Sequence, residues 1–169
     1  IVKLQYFQTT ERIGSDVREV NHVEKAQDIE ESISDVLSRC ELSLAEILNI
    51  KTLVESKNRL FMCTAFSISD AQDLAEVGVS CIKTASMDLN NYPLHRWLAN
   101  FDKTLHVFIS TGMSTSDEVK ACMDIYSSSN HEISLLACTS SYPAPDNSLN
   151  LSSIKYFSSH YPSVSIGYS

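Results

Sequence analysis

The sequence of 169 residues contains no apolar run of the roughly 18 to 20 residues that a membrane-spanning helix needs. Its first residues, IVKLQYFQTT, lack the basic-then-apolar order of a secretory signal. Basic side chains are scarce as well: 13 of them stand against 21 acidic ones, which gives a formal net charge of -8. A broad electropositive surface for nucleic acid or for an anionic membrane is therefore not expected. We expect a cytoplasmic protein.

Five cysteines give an odd count, with no CxxC pair and with wide, irregular spacing. This pattern argues against a zinc site and against a disulfide scaffold. Cys63, Cys81 and Cys138 lie within apolar runs, where a thiol normally behaves as a small buried hydrophobe. The motifs GxGxxG, GxxxxGK[ST], HExxH and GxSxG are also missing. The sequence therefore contains no motif that supports a nucleotide-binding, zinc-protease or serine-hydrolase function.

The hydrophobic content of 43% is enough for one ordinary domain with a core. Short apolar runs alternate with amphipathic stretches, which is typical of an α/β protein with a parallel sheet. The pattern predicts six strands joined by five crossovers. The predicted strands are Ile1–Phe7, Leu60–Phe66, Cys81–Ser86, Leu105–Thr111, Ile133–Ser140 and Val164–Ser169. The predicted helices are Leu44–Ser56, Asp70–Val77, Leu94–Asn100, Asp117–Ser127 and Leu151–His160.

Three of these helix starts carry a capping box, in which a hydroxyl residue is followed three positions later by an acid or an amide. Gly78 stands where a glycine ends the second helix. The predicted boxes are Ser43/Glu46, Ser69/Gln72 and Thr115/Glu118.

The stretch Thr9–Arg39 is too long for a simple loop between a strand and a helix, and it is rich in acidic residues. Two interpretations stay open. Either it forms a solvent-exposed surface segment with a helix within Val23–Leu37, or it forms a loop that covers a site above the strand ends.

Polar side chains stand at the carboxyl ends of the predicted strands, where parallel barrels and doubly wound sheets place their active sites. Lys3 and Lys83 are the most informative, because a lysine within a strand is costly to bury unless an anion or a covalent role uses it. Its charge and three donors suit a phosphate or a carboxylate. Two alternatives stay open: both lysines extend to solvent, or Lys83 forms an imine.

The five histidines share no spacing typical of metal ligands. Trp97 has Leu94 and Leu98 at helical spacing, so core packing is expected for it rather than a role as a ligand platform. The histidines expected on the surface or at helix edges are His22, His95, His106, His131 and His160.

Six short motifs, in order along the chain and each at a predicted strand end, resemble those of the sialic acid synthase family. Its enzymes condense phosphoenolpyruvate with N-acetylmannosamine or its 6-phosphate. The motifs are VKLQ at Val2–Gln5, FMCTAF at Phe61–Phe66, IKTASMDL at Ile82–Leu89, ISTGMST at Ile109–Thr115, LLACTSSYPAP at Leu135–Pro145 and IGYS at Ile166–Ser169.

The resemblance implies a (β/α)8 TIM barrel, with residues 1–169 as a partial synthase domain that contains strands two to seven of eight. The family's first and eighth strands and its C-terminal antifreeze-like domain have no counterpart in the sequence. A closed barrel needs about 250 residues. The chain by itself is therefore expected to be inactive, and marginally stable or self-associating through its edge strands. A homodimer is implied for the intact protein.

The resemblance also implies which residues bind phosphoenolpyruvate, while it assigns no catalytic residue. The implied ligands of its phosphate and carboxylate are Lys3, Thr64, Lys83, Ser86 and Ser110. Weaker substrate contacts are implied for Gln5, Thr139, Ser140 and Tyr142.

A divalent cation, Mn²⁺ or Mg²⁺, belongs to the family's mechanism, where it polarises the aldehyde of the open-chain sugar. Ala137 stands where the family's LLHC motif has a metal-binding histidine, and an alanine methyl cannot coordinate a metal. The second such histidine belongs to a GYSDH motif that continues past Ser169. Two functions stay open: a transferase that forms a sialic or nonulosonic acid and releases phosphate, or a non-catalytic phosphate- or sugar-binding relative without a metal site.

Overall fold

A computed structural model describes residues 1–12 and 32–169, together with the backbone of 22–24 and 27–29. Six strands of the described chain form one parallel sheet, and two more form a separate antiparallel pair. In chain order the strands are β1 (Val2–Gln5), β2 (His22–Glu24), β3 (Gln27–Ile29), β4 (Phe61–Ala65), β5 (Cys81–Thr84), β6 (His106–Ser110), β7 (Glu132–Ala137) and β8 (Ser165–Tyr168). The large sheet has the order β1-β4-β5-β6-β7-β8, so all six predicted strands are confirmed. Among the described residues its first and last strands do not pair, and the sheet stays open.

The helices that cross between the parallel strands agree with the predicted ones to within two residues, and α3 agrees at both ends. Two 3-10 turns, Ser86–Asp88 and Asp146–Ser148, follow β5 and β7. The helices are α1 (Thr9–Arg12), α2 (Ile33–Cys40), α3 (Leu44–Ser56), α4 (Ile68–Glu76), α5 (Tyr92–Ala99), α6 (Ser116–Ile125) and α7 (Ser152–His160).

The hydrophobic core lies between one face of the sheet and the helices. Ile82, Ile109 and Leu135 are fully buried there, and Leu74 of α4 and Leu94 of α5 pack into the same core. Successive side chains of a strand point to opposite faces of a sheet. The residues that alternate with the buried ones therefore point away from the helices, toward the face that would be the interior of a barrel.

The N-terminus of α4 differs from the predicted capping box. The hydroxyl of Ser67 accepts a hydrogen bond from the backbone N–H of Asp70 at 3.0 Å, and the Asp70 carboxylate accepts one from Ser67 N at 3.0 Å. The helix therefore starts at Ile68 instead of Asp70, and the Ser69/Gln72 box is wrong. The boxes at Ser43/Glu46 and Thr115/Glu118 are confirmed. Gly78, with φ of 76°, lies just past α4 as expected.

The long crossover between β1 and β4 contains a helix, but it begins and ends later than the one expected within Val23–Leu37. Strands β2 and β3 form a short antiparallel pair in which Val23 is opposite Asp28. Helix α2 follows, and it begins at Ile33, where the Ser32 hydroxyl caps it. The remaining residues of this stretch, 13–21, 25–26 and 30–31, lie outside the described residues.

Two of the three cysteines expected in the core, Cys63 and Cys81, are buried, while Cys138 is only partly buried. Trp97 packs against the core from its edge, as predicted. Within the described part of the chain, no helix is both long enough and apolar enough to cross a bilayer.

The revised helix cap gives a direct test. Ser67→Ala should lower the free energy of unfolding by about 1 kcal/mol, because loss of an N-cap hydroxyl costs roughly 0.5 to 2 kcal/mol. Ser69→Ala is the matched control, since it removes the hydrogen bonds of the Ser69 hydroxyl to Glu11 and to the Ser67 hydroxyl, but leaves the bond from Asp70 N to the Ser67 hydroxyl in place. Urea denaturation of both variants measures the difference. A larger loss for Ser69→Ala would support the Ser69/Gln72 box instead.

Candidate functional site

A cleft of about 330 Å³ opens at the carboxyl ends of the parallel strands. It collects eight of the nine substrate-binding residues inferred from the sequence. The ninth, Thr139, lies elsewhere: its hydroxyl donates to the carbonyls of Ser148 and Leu149 and so holds the second 3-10 turn. The eight that line the cleft are Lys3, Gln5, Thr64, Lys83, Ser86, Ser110, Ser140 and Tyr142.

A larger groove of about 580 Å³ opens at the opposite end of the sheet, near the start of β6, β7 and β8. None of the nine substrate-binding residues inferred from the sequence lines this groove. Because parallel α/β sheets bind their ligands at the carboxyl ends of the strands, the smaller cleft is the candidate site.

Strand pairing brings the polar residues of the cleft together. Gln5 of β1 is opposite Thr64 of β4, and Thr64 is opposite Lys83 of β5. Residues paired across a sheet point to the same face. Three side chains that are far apart in the sequence therefore form one row across the cleft floor.

Lys83 is partly buried in this row, and its ammonium donates a hydrogen bond to the hydroxyl of Ser110. Burial lowers the pKa of Lys83, and the positive charge of Lys3 acts in the same direction. Both effects disfavour the charged form of the Lys83 side chain, whereas an anion bound in the cleft would favour it. The geometry therefore favours a negatively charged ligand next to Lys83.

Two hydroxyls of the cleft have hydrogen-bonding capacity left for a ligand. Thr64 is 2% exposed, and its hydroxyl has no partner in the described protein. The hydroxyl of Ser86 accepts a hydrogen bond from Gly112 N at 3.0 Å, so its own proton is free to be donated. Buried polar groups are rarely left without partners. An oxyanion bound here would provide the missing acceptor.

Gly112 lets the loop after β6 approach these hydroxyls. A Cβ atom at this position would overlap the Oγ of Ser140 and would lie 2.8 Å from the Oγ of Ser86. A larger residue would have to displace these serine hydroxyls, so glycine allows the loop and both hydroxyls to pack closely at the cleft.

Among the further residues that line the cleft, Arg12 and Cys138 carry a charged or polar group that the sequence analysis did not assign to it. Arg12 lines the cleft from the end of α1, although its acid-rich surroundings in the sequence suggested a solvated surface. The signal that could have found it is its place only a few residues after β1. Cys138 also lines the cleft, because it alternates with the buried Ala137.

His95 contradicts the expectation that the histidines lie at the surface, since it is fully buried in α5. Its Nε2 lies 3.0 Å from the Asp88 carbonyl and must therefore donate to it, so Nδ1 accepts from the Tyr126 hydroxyl at 2.9 Å. These bonds anchor the 3-10 turn that begins with Ser86. Of the other histidines, His106 and His131 are partly buried, His160 is exposed, and the His22 side chain lies outside the described residues.

Ala137 does not lie at the cleft, contrary to the expectation drawn from the family's LLHC motif. It is 3% exposed and belongs to the core between the sheet and the helices, on the same face of β7 as Leu135. A histidine here would enter that core. The substitution is therefore not informative about a metal in the cleft.

The residues of the cleft do not fit a divalent cation by themselves. Within residues 1–12 and 32–169, no three histidine, cysteine, aspartate or glutamate side chains are grouped so that they could hold a metal ion. The cleft lining described above contains no histidine and no acidic side chain. Mn²⁺ and Mg²⁺ prefer carboxylate and water oxygens, which these residues do not supply.

Comparison with known proteins identifies the family. The NeuB family model matches residues 1–169, which is the whole chain. The chain belongs to the NeuB family. It is 26% identical over 171 aligned residues to the N,N'-diacetyllegionaminic acid synthase of Campylobacter jejuni, with 99% of this chain and 50% of that protein covered.

Two further relatives support the family. The chain is 32% identical to the N-acetylneuraminate-9-phosphate synthase of Drosophila melanogaster, with 76% of this chain and 34% of that protein covered. The crystal structure of the N-acetylneuraminic acid synthetase of Leptospira borgpetersenii, in complex with citrate, superposes with a TM-score of 0.83 and 30% identity, over 98% of this chain and 52% of that one. The expected α/β, TIM-barrel-like fold is thus confirmed. The chain spans about half or less of the length of these relatives.

Burial of His95 should make the protein sensitive to mild acid. Burial lowers the pKa of His95 from 6.5 to about 4, so the unfolded chain binds a proton in this range and the folded chain does not. Stability is therefore lost as the pH falls from 6.5 to 4, by about 3 kcal/mol in total. Urea denaturation at several pH values should show this loss reduced in His95→Gln. The same pH slope in both proteins would contradict the assignment.

The placement of Ala137 gives a second test. Ala137→His should lower the free energy of unfolding by about 1 to 3 kcal/mol, because it overfills a packed core. Cys138→His is the matched control, since its side chain enters the cleft and should cost less. Denaturation with and without Mn²⁺ measures both effects. If Ala137→His is as stable as the wild type, and Mn²⁺ stabilises it further, position 137 does reach a metal site.

Proposed function

We propose that the protein acts in the biosynthesis of a sialic or related nonulosonic acid, by condensing phosphoenolpyruvate with N-acetylmannosamine, its 6-phosphate or a related amino sugar. The observation that carries this proposal is a cleft with the cations Lys3, Arg12 and Lys83, two hydroxyls with hydrogen-bonding capacity left for a ligand, and no acidic side chain in its lining. The relatives named as N-acetylneuraminate-9-phosphate and legionaminic acid synthases support the reaction class. The Leptospira relative binds citrate, which is also an anion.

Phosphoenolpyruvate matches the charge of this cleft. Its phosphate carries a charge of about -1.5 to -2 at neutral pH, and its carboxylate adds one more negative charge. Lys3 and Lys83 offer charge-assisted hydrogen bonds to these oxygens, which are stronger than neutral ones. Thr64, Ser86 and Ser110 complete the shell as neutral donors. Binding in this arrangement would offset the unfavourable burial of the Lys83 ammonium.

In the proposed reaction, the enol carbon of phosphoenolpyruvate forms a bond to the aldehyde carbon of the open-chain sugar, and the aldehyde π bond breaks as its oxygen becomes a hydroxyl. Water adds to the cationic carbon that results. One proton of this water balances the proton taken up by the aldehyde oxygen, and the other leaves with inorganic phosphate as the C–O bond breaks and the ketone forms. The residues of this chain would hold the phosphate and the carboxylate while that charge develops. Prearranged charges in a site that excludes water contribute strongly to catalysis.

The proposal also covers the place of residues 1–169 in the barrel and a second, non-catalytic function. Residues 1–169 would form strands two to seven of the barrel, in a protein that forms homodimers. The alternative function is a relative that binds phosphate or sugar without turnover. Binding and turnover must therefore be tested separately.

Binding is tested by thermal unfolding of the purified protein with phosphoenolpyruvate. Saturating ligand should raise the unfolding temperature, and Lys83→Ala should weaken binding by about 10- to 100-fold, because hydrogen bonds to charged groups contribute roughly 1.5 to 3 kcal/mol. Lys120→Ala is the matched control, as Lys120 is exposed on α6 and pairs with Asp124. No shift with the wild-type protein at saturation would refute both functions.

Turnover is tested in the complete protein, by phosphate release from phosphoenolpyruvate in the presence of Mn²⁺ and an amino sugar. N-acetylmannosamine and its 6-phosphate serve as alternative acceptors. Release that depends on the acceptor supports the transferase. Tight binding of phosphoenolpyruvate without release supports the binding relative.

A further inference from the structure

Arg12 reaches the cleft between two aromatic rings. Its guanidinium carbon lies 4.0 Å from the centre of the Phe66 ring and 4.8 Å from that of Phe7. The two rings meet edge to face, with centres 5.9 Å apart and an angle of 89° between their planes. Phe7 is buried, at 4% exposure. Contact with both rings restricts the guanidinium to a defined position before any ligand binds.

This cation has no charged partner within the described residues. No carboxylate of residues 1–12 or 32–169 lies within ion-pair distance of it. Burial lowers the pKa of Arg12, whereas Asp88 and Asp70 raise it from a longer distance. One oxygen of Asp70 already accepts from the backbone N–H groups of Phe66 and Ser67 at 3.0 Å. The guanidinium is thus partly desolvated and is not neutralised by a direct contact.

The rings and the cleft leave one part of Arg12 available. A guanidinium can lie flat on only one of two perpendicular rings, and its N–H donors then point outward in its own plane. Those donors form a fork that fits two oxygens of a carboxylate or a phosphate. Arg12 lines the same cleft as Lys3 and Lys83. A second anionic group in this cleft would find the N–H donors of Arg12 already positioned to bind it.

We propose that Arg12 is a third anion-binding residue of the cleft, which holds a phosphate or carboxylate group by its N–H fork. This inference rests on the proposed function, because it assigns a further contact within the same cleft. Two sources offer this chemistry. One is the second anionic group of phosphoenolpyruvate, and the other is the phosphate of a phosphorylated amino sugar.

The experiment measures the affinities of Arg12→Gln and Arg12→Lys for phosphoenolpyruvate, for N-acetylmannosamine 6-phosphate and for inorganic phosphate by calorimetry of the complete protein. Arg12→Gln should weaken one of the first two ligands by about 10- to 100-fold. Arg12→Lys keeps the charge and loses the fork, so its loss should be smaller. Arg96→Gln is the control, since Arg96 is exposed on α5. Thermal unfolding of each variant confirms that it is folded.

The ligand that loses affinity identifies the source. A loss for phosphoenolpyruvate assigns Arg12 to that substrate, and a loss for the sugar phosphate alone assigns it to the acceptor. Affinities for all three ligands within twofold of wild type in Arg12→Gln would overturn the inference. If the wild type binds inorganic phosphate through Arg12 but not phosphoenolpyruvate, the proposed function fails and the anion site stands. If it binds none of the three, both fail.

Discussion

The partial burial of Lys83 is the constraint on which the candidate site depends. An ammonium that is removed from water within a strand is unfavourable, and the Ser110 hydroxyl that it contacts is a neutral acceptor. The protein places a second cation, Lys3, in the same cleft, which makes the charge less favourable still. A fold stabilised only by its own contacts would gain nothing from this arrangement. Like charges gathered around unpaired hydroxyls are expected where a ligand of the opposite charge completes the interactions.

The parallel sheet is what makes this arrangement possible. Along β5, Ile82 and Thr84 are buried on the side of the helices while Lys83 points to the other face. A shift of one residue in the pairing would exchange the two faces, and would place the lysine in the hydrophobic core. Burial of the apolar face therefore fixes the position of the charged residue. The pairing of Gln5 with Thr64 and of Thr64 with Lys83 extends the same constraint across three strands.

The sequence was sufficient for features that depend on local periodicity, and insufficient for those that depend on packing between distant segments. All six strands of the parallel sheet and both ends of α3 follow from apolar spacing and capping residues. The start of α4 was missed because Ser67 and Ser69 are both plausible caps, and the Asp70 carboxylate decides between them. The burial of His95 depends on Tyr126, which lies 31 positions away. Arg12 was missed for the same reason, since Phe66 belongs to another strand end.

Charge on two length scales explains how an acidic chain presents a site for anions. The net charge of -8 acts over the whole surface, and salt screens it beyond about 10 Å. The cations of the cleft act within a few ångströms, and the partial burial of Lys83 and Arg12 makes their interactions stronger than in water. The acidic surface does not attract anions from a distance, so affinity must come from direct contacts in the cleft. Lys3, Lys83 and Arg12 line one cleft, so a small ligand with two anionic groups suits them better than a long polyanion, which the net negative charge of the chain repels.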